Sequence, residues 1–180
     1  MIRKSRLNQT IFIAFLPNRK KRNILMPLLN QKHFCFNFCL IENTNKGSLL
    51  IRDKKIASYA DSGYSMFSRN EPLFLIDVNP MIGKNIGDIE IELNKIIDGL
   101  KTKLVSQKEL DRIKAQVLAS EVYQQDSIDY QARILGMAKT SVGDISIIKE
   151  YTSNIGSVTA SQVRKVAKKY LVANLKTTVK

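Results

Sequence analysis

Two kinds of hydrophobic pattern follow one another in this chain, and their order limits what it can fold into. Before residue 86, two short stretches rich in apolar residues, Tyr59 to Phe67 and Leu73 to Val78, predict two strands joined by a turn over residues 68–72. From Ile86 onward apolar residues recur at three- and four-residue steps, which predicts an amphipathic helix ended with the help of Gly99. This order indicates an α+β fold, with a largely antiparallel sheet and helices on one face.

Further helices are predicted from their start signals. Ser106–Glu109 and Thr159–Gln162 both have the spacing of a capping box, in which two side chains satisfy two backbone N–H groups at a helix start. The first box opens a long helical pattern with an interruption near Asp126–Ser127. A shorter helix is predicted over Ile145–Thr152, and Leu175–Val179 is predicted to begin a final strand.

Length and composition exclude several classes of protein. The 180 residues, 44% of them hydrophobic, suit one domain with a real core, and no stretch is long and apolar enough for a membrane span. No Gly-rich phosphate loop opens a helix, which argues against a nucleotide-binding fold. The apolar run from Ile11 to Leu16 is short and is followed by basic residues, so no signal peptide is predicted. The sequence does not distinguish a periplasmic from a cytoplasmic location.

Positive charge is concentrated near the N-terminus. Residues 1–46 hold nine Lys or Arg and one acid, Glu42, and so carry +8 of the net charge of +13. Apart from a strand that could begin at Ile11, residues 17–46 show no sustained period. We therefore predict a basic, poorly patterned leader over residues 1–46 and a folded domain over residues 47–180, with a fold that is incomplete at its N-terminus. A basic arm can attract nucleic acid or an anionic membrane, but no RNA-binding sheet motif accompanies it, and nucleic acid is not the expected partner.

One group of metal-capable residues occurs within this leader. His33, Cys35 and Cys39 would share one face of a strand, because they alternate with phenylalanines. Zinc needs at least three converging protein ligands, and residues two apart on a strand rarely converge. An irregular segment is therefore expected here, with no metal site and no cofactor in this chain.

Three motifs from about Leu50 to Leu175 carry a family resemblance. Ile51-Arg52 precedes Tyr59, and Glu109-Leu110 precedes Lys114 in the long helix. The closing motif consists of Thr159, Val163, Ala167, Tyr170 and Leu171. In this order the motifs resemble the C-terminal, non-zinc-binding half-domain of the insulinase/pitrilysin zinc metallopeptidases, in which two homologous halves close like a clamshell.

The resemblance implies a role for two residues. Arg52 would donate hydrogen bonds to a substrate carbonyl, and Tyr59 would donate one to the oxyanion that develops on the substrate. The substrate would be an extended polypeptide, bound as a strand to a sheet edge. Because the chain has a single histidine and no His-x-x-Glu-His motif, zinc is expected on a partner half, and the chain is not expected to be active alone. Without the resemblance, these residues would be interpreted as a surface ion pair and a strand tyrosine.

Departures from the family keep other interpretations open. Ile56 and Ala57 stand where the family usually has glycine and leucine, and residues 17–46 are unlike the family. That segment is either a divergent loop or the product of a damaged reading frame. The alternatives to a peptidase half are therefore a non-catalytic structural or interaction subunit, like the core subunits of respiratory complexes that resemble these peptidases, and the remnant of a broken gene.

Overall fold

The computed structural model describes residues 11–15, 49–64, 67 and 73–179, and within them four strands form one sheet. The strands are β1 (Ile11–Phe15), β2 (Ala57–Tyr64), β3 (Phe74–Pro80) and β4 (Lys176–Val179). They lie in the order β2-β3-β1-β4, and every neighbouring pair is antiparallel. The predicted antiparallel sheet is confirmed, although β2 begins at Ala57 rather than Tyr59. Residues 65–66, predicted to continue this strand, and the predicted turn over residues 68–72 lie outside the described residues.

The strand β1 lies between β3 and β4. Ile13 is opposite Ile76 on one side and Thr178 on the other. Phe15 is opposite Phe74, and their rings stack with centroids 6.0 Å apart. The strand expected at Ile11 is therefore confirmed, and it belongs to the same sheet as the strands that follow. The rest of residues 1–46, including His33, Cys35 and Cys39, lies outside the described residues, so the domain boundary after residue 46 stays a prediction.

One face of the sheet contributes buried side chains to the hydrophobic core. Phe74, Ile76 and Val78 are buried, whereas Leu73 and Leu75 are exposed on the other side. This alternation arises because successive side chains of a strand point to opposite faces. The helices cover the buried face, as the sequence predicted.

The described α-helices follow β3 in the chain. They are α1 (Ile86–Thr102), α2 (Gln107–Gln124), α3 (Ile128–Met137), α4 (Ser146–Gly156) and α5 (Ala160–Tyr170). A π-helical turn, Ala138–Val142, continues α3, and a 3₁₀ turn, Ala173–Leu175, precedes β4. Their side chains complete the core chiefly through Ile89, Leu93, Ile97, Leu110, Ile113, Ile147, Ile155, Val163 and Ala167. No helix of the described residues is long and apolar enough to cross a membrane.

Side-chain caps set the helix starts. The Thr159 hydroxyl accepts the backbone N–H of Gln162 (3.3 Å), and the Gln162 side chain accepts that of Thr159 (2.8 Å), so this predicted capping box is confirmed. Ser106 caps α2 by accepting the N–H of Glu109 (3.2 Å). Ser127 caps α3 by accepting the N–H of Tyr130 (3.2 Å), which confirms the predicted interruption.

One predicted helix end is close and another was wrong. Gly99 lies in the last turn of α1, which continues to Thr102, and the Gly99 carbonyl accepts the backbone N–H of Lys103 (2.9 Å). Helix α4 continues beyond Thr152 to Gly156, because Ile155 is a further buried residue on its apolar face.

Candidate functional site

Arg52 lies on a short π-helical turn, Leu49–Asp53, that leads into β2. The backbone N–H of Ile56 donates to the carbonyl of Leu50 (3.0 Å), which closes the turn against the start of the strand. Leu50 and Ile56 are both buried, whereas Arg52 is exposed. Lys55, directly before Ile56, takes a left-handed conformation (φ 50°). The buried anchors thus fix the backbone that presents the exposed guanidinium.

Tyr59 lies on β2 beside a β-bulge. Ala57 is opposite Pro80 and Tyr59 is opposite Asn79, so one extra residue of β2, Ser58, is inserted between these pairs. The Ser58 hydroxyl approaches the carbonyls of Asn79 (3.2 Å) and Pro80 (3.4 Å), to which it can donate a hydrogen bond. A bulge changes which face of the sheet the following side chains occupy.

The consequence of the bulge is visible in the burial of β2. Ala57 and Ala60 are both buried although they are three residues apart. Without the bulge, the two-residue period of a strand would place Tyr59 on the same face as Ala57. With it, Tyr59 lies on the face away from the core and is 39% exposed. This bulge was not predicted from the sequence, in which the spacing of Ala57 and Ala60, three residues apart, was the available signal.

The structure places Arg52 and Tyr59 on adjoining elements. The Leu49–Asp53 turn packs against β2, and β2 is an outer strand of the sheet formed by the described residues. Arg52 has no ion pair with any acidic residue of the described chain. The predicted pair therefore lies at one sheet edge, with the arginine on the turn and the tyrosine on the strand.

Two acids lie next to Tyr59 on the same face. Asp61 is directly opposite Asp77, one row along from Tyr59 and Asn79. Burial raises the pKa of the Asp77 carboxyl, and the nearby Asp61 carboxylate raises it further. Within the described residues, Oδ1 of Asp77 is buried without a hydrogen-bond partner. These acids were not predicted as site residues, although Asp61 lies two residues from Tyr59, a spacing that places both on the same face of a strand.

The described residues do not fit a zinc site. No three His, Cys, Asp or Glu side chains among them are grouped so that they could hold a metal ion. Zinc in proteins requires at least three such ligands.

Comparisons with known proteins identify the fold. No protein-family model and no curated protein matches the sequence, but solved structures do. A protease from Helicobacter pylori matches with a TM-score of 0.79 and 20% identity, over 94% of this chain and 40% of that chain. A structure described as the inactive peptidase domain of a zinc protease from Bordetella parapertussis matches with a TM-score of 0.78 and 18% identity, over 97% and 93%. One described as an M16-like peptidase from Alicyclobacillus acidocaldarius gives 0.73 and 5%, over 94% and 39%.

The chain has the fold of an M16-type peptidase half-domain. It spans 40% of the Helicobacter protease chain and 93% of the Bordetella domain. The resemblance to the insulinase-type peptidases is thereby confirmed for the fold. The roles of Arg52 and Tyr59 stay predictions.

Proposed function

We propose that this chain is the non-zinc-binding half of an insulinase-type peptidase and that it binds extended polypeptide for a zinc-binding partner half. The observation that carries the proposal is the position of Tyr59, which the bulge directs away from the core on the strand that packs against the Arg52 turn. The M16-type fold supports it. In this role the chain forms one wall of a clamshell and has no catalysis of its own.

The sheet edge suits a peptide ligand. An extended peptide can add to an outer strand through backbone hydrogen bonds, while side chains near the edge give specificity. The strand β2 is such an outer strand in the described sheet. Arg52 would hold a peptide carbonyl through its planar fork of donors. Tyr59 would donate its phenol proton in a hydrogen bond to the scissile carbonyl oxygen as negative charge develops there.

The test is cleavage of a flexible quenched peptide by this chain reconstituted with its zinc-binding half. Tyr59→Phe removes one hydroxyl and keeps the ring, so we expect kcat to fall by about 10²–10³, the usual cost of losing one oxyanion donor. Tyr123→Phe is the matched control, because Tyr123 is 76% exposed on α2 and should leave kcat unchanged. Arg52→Lys should also slow turnover, because a lysine cannot reproduce the fork.

Two results would contradict the proposal. One is wild-type turnover by both Tyr59→Phe and Arg52→Lys, with the circular dichroism of the helices unchanged. The other is chelator-sensitive cleavage by this chain alone, since its described residues hold no group of metal ligands.

A second candidate is a non-catalytic interaction subunit with the same fold. It is favoured by the match to a domain described as inactive, which this chain covers almost end to end. This candidate predicts a stable complex with a partner in which neither substitution changes any activity. A gene remnant would instead fail to accumulate as a folded protein.

A further inference from the structure

Helix α5 has a cationic outer face. Arg164 and Lys168 form one row and Lys165 and Lys169 a neighbouring row, because residues four apart lie one turn above each other. The three lysines are exposed and Arg164 is partly exposed. The opposite face of α5 is buried in the core through Val163, Val166, Ala167 and Tyr170. This burial fixes the rotation of α5 about its axis, and its cations therefore stay on the surface.

These charges are not neutralised within the described structure. None of the four cations forms an ion pair with a described acid. Helix α1 packs against α5, but three of its acids form ion pairs with residues outside α5: Glu90 with Lys176, Glu92 with Lys95 and Asp98 with Lys101. The sequence from residue 151 to the C-terminus contains no Asp or Glu. Cations in the last turn of a helix interact favourably with the helix dipole. This interaction accounts for Lys168 and Lys169 but not for Arg164 and Lys165, which lie before the last turn.

We propose that this outer face of α5 docks on an anionic membrane surface. Clusters of four or more Lys and Arg on an amphipathic helix are typical of contact with acidic headgroups. Three of the four cations are lysines, whose compact charge suits non-directional attraction better than the bidentate recognition typical of arginine. The face presents no exposed aromatic or aliphatic anchor of the kind found at the centre of specific protein interfaces. Because the apolar face is buried, α5 would lie on the headgroups without inserting.

The size of the effect follows from the charge count. Each Lys or Arg held near an anionic surface strengthens binding about fivefold at low ionic strength. Removing all four should weaken binding by about 10²–10³ if every cation reaches the headgroups. The attraction should also fall steeply with added salt, since exposed charges are screened over about 10 Å at 0.1 M ionic strength. The inference is independent of the proposed peptide-binding role.

The experiment is flotation of the full chain with phosphatidylcholine vesicles, with or without about one third phosphatidylserine. The test variant changes the four α5 cations to glutamine, and the control variant changes four exposed lysines elsewhere, Lys84, Lys103, Lys108 and Lys149. Both lose the same charge and keep residues 1–46 intact. Glutamine has a helix propensity close to that of lysine, so α5 should persist, which circular dichroism checks.

We expect the wild-type chain and the control variant to float with the anionic vesicles. The α5 variant should stay unbound at the bottom of the gradient. Equal losses in both variants would overturn the proposal, because binding would then follow net charge and not this face. Absence of wild-type binding to the anionic vesicles would also overturn it. So would tighter binding to duplex DNA or to polyglutamate than to the vesicles at the same salt, because the partner would then be a different polyanion.

Discussion

Replacing Ile13 with alanine tests whether β1 is an integral part of the folded body. Ile13 is 0% exposed and lies between Ile76 and Thr178 in the middle of the sheet. Truncating a buried isoleucine to alanine costs about 2–5 kcal/mol, from lost burial and from the cavity that remains. A domain has about 5–15 kcal/mol of stability in total. We therefore expect Ile13→Ala to lower the free energy of unfolding by about 2–5 kcal/mol, which is at least about an eighth of the total and, in a domain of low stability, most of it.

The assay is urea unfolding followed by far-ultraviolet circular dichroism. Ile13→Val should cost only about 0.5–1.5 kcal/mol, because most of the side chain remains. Ile82→Ala makes the same chemical change at a residue that is 91% exposed, and it should stay within about 0.5 kcal/mol of wild type. If Ile13→Ala and Ile82→Ala unfold at the same urea concentration, Ile13 is not in the core and β1 is not a central strand.

Two other substitutions test local features of the fold. Thr159→Ala removes a hydroxyl that caps α5 and should lower stability by about 1 kcal/mol in thermal unfolding, whereas Ser161→Ala, at an exposed position on the same helix, should change it little. Asp61→Asn should stabilise the chain by about 0.2–1 kcal/mol at neutral pH, because it removes a like charge opposite Asp77. The pKa of Asp77 is raised in the folded protein, so the wild-type penalty appears as the pH rises through that pKa. The gain from Asp61→Asn should therefore vanish as acid protonates Asp77; a gain that persists in acid would refute the pairing.

Local signals were enough to predict most elements from the sequence. Thr159 and Gln162 form the capping box that their spacing indicated, because both partners lie within one helical turn. Ser127 marks the break between α2 and α3 for the same reason. Gly99 lies in the last turn of α1 and not at its final residue, because a glycine inside a helix is tolerated at a cost of only about 1 kcal/mol.

Features that depend on distant residues were not predictable in this way. The sequence indicated a strand at Ile11, but its place between β3 and β4 depends on pairing with residues 59 or more positions away. The bulge at Ser58 likewise depends on carbonyls of Asn79 and Pro80. The roles of Arg52 and Tyr59 were predicted from a motif. That motif does not indicate the bulge that places Tyr59 on the face of the sheet away from the core.

The two proposals depend on different parts of the fold, and this makes them separable. The orientation of Tyr59 depends on the bulge at Ser58, whose hydroxyl contacts the carbonyls of β3. The strand β3 also pairs with β1. A substitution that weakens β1 should therefore disturb the candidate peptide site. The α5 face depends on its own sequence and on packing against α1. Neutralising its cations changes neither the bulge nor the Leu49–Asp53 turn. A peptide-cleavage defect in the α5 variant would therefore point to a link between surface and site that the described contacts do not contain.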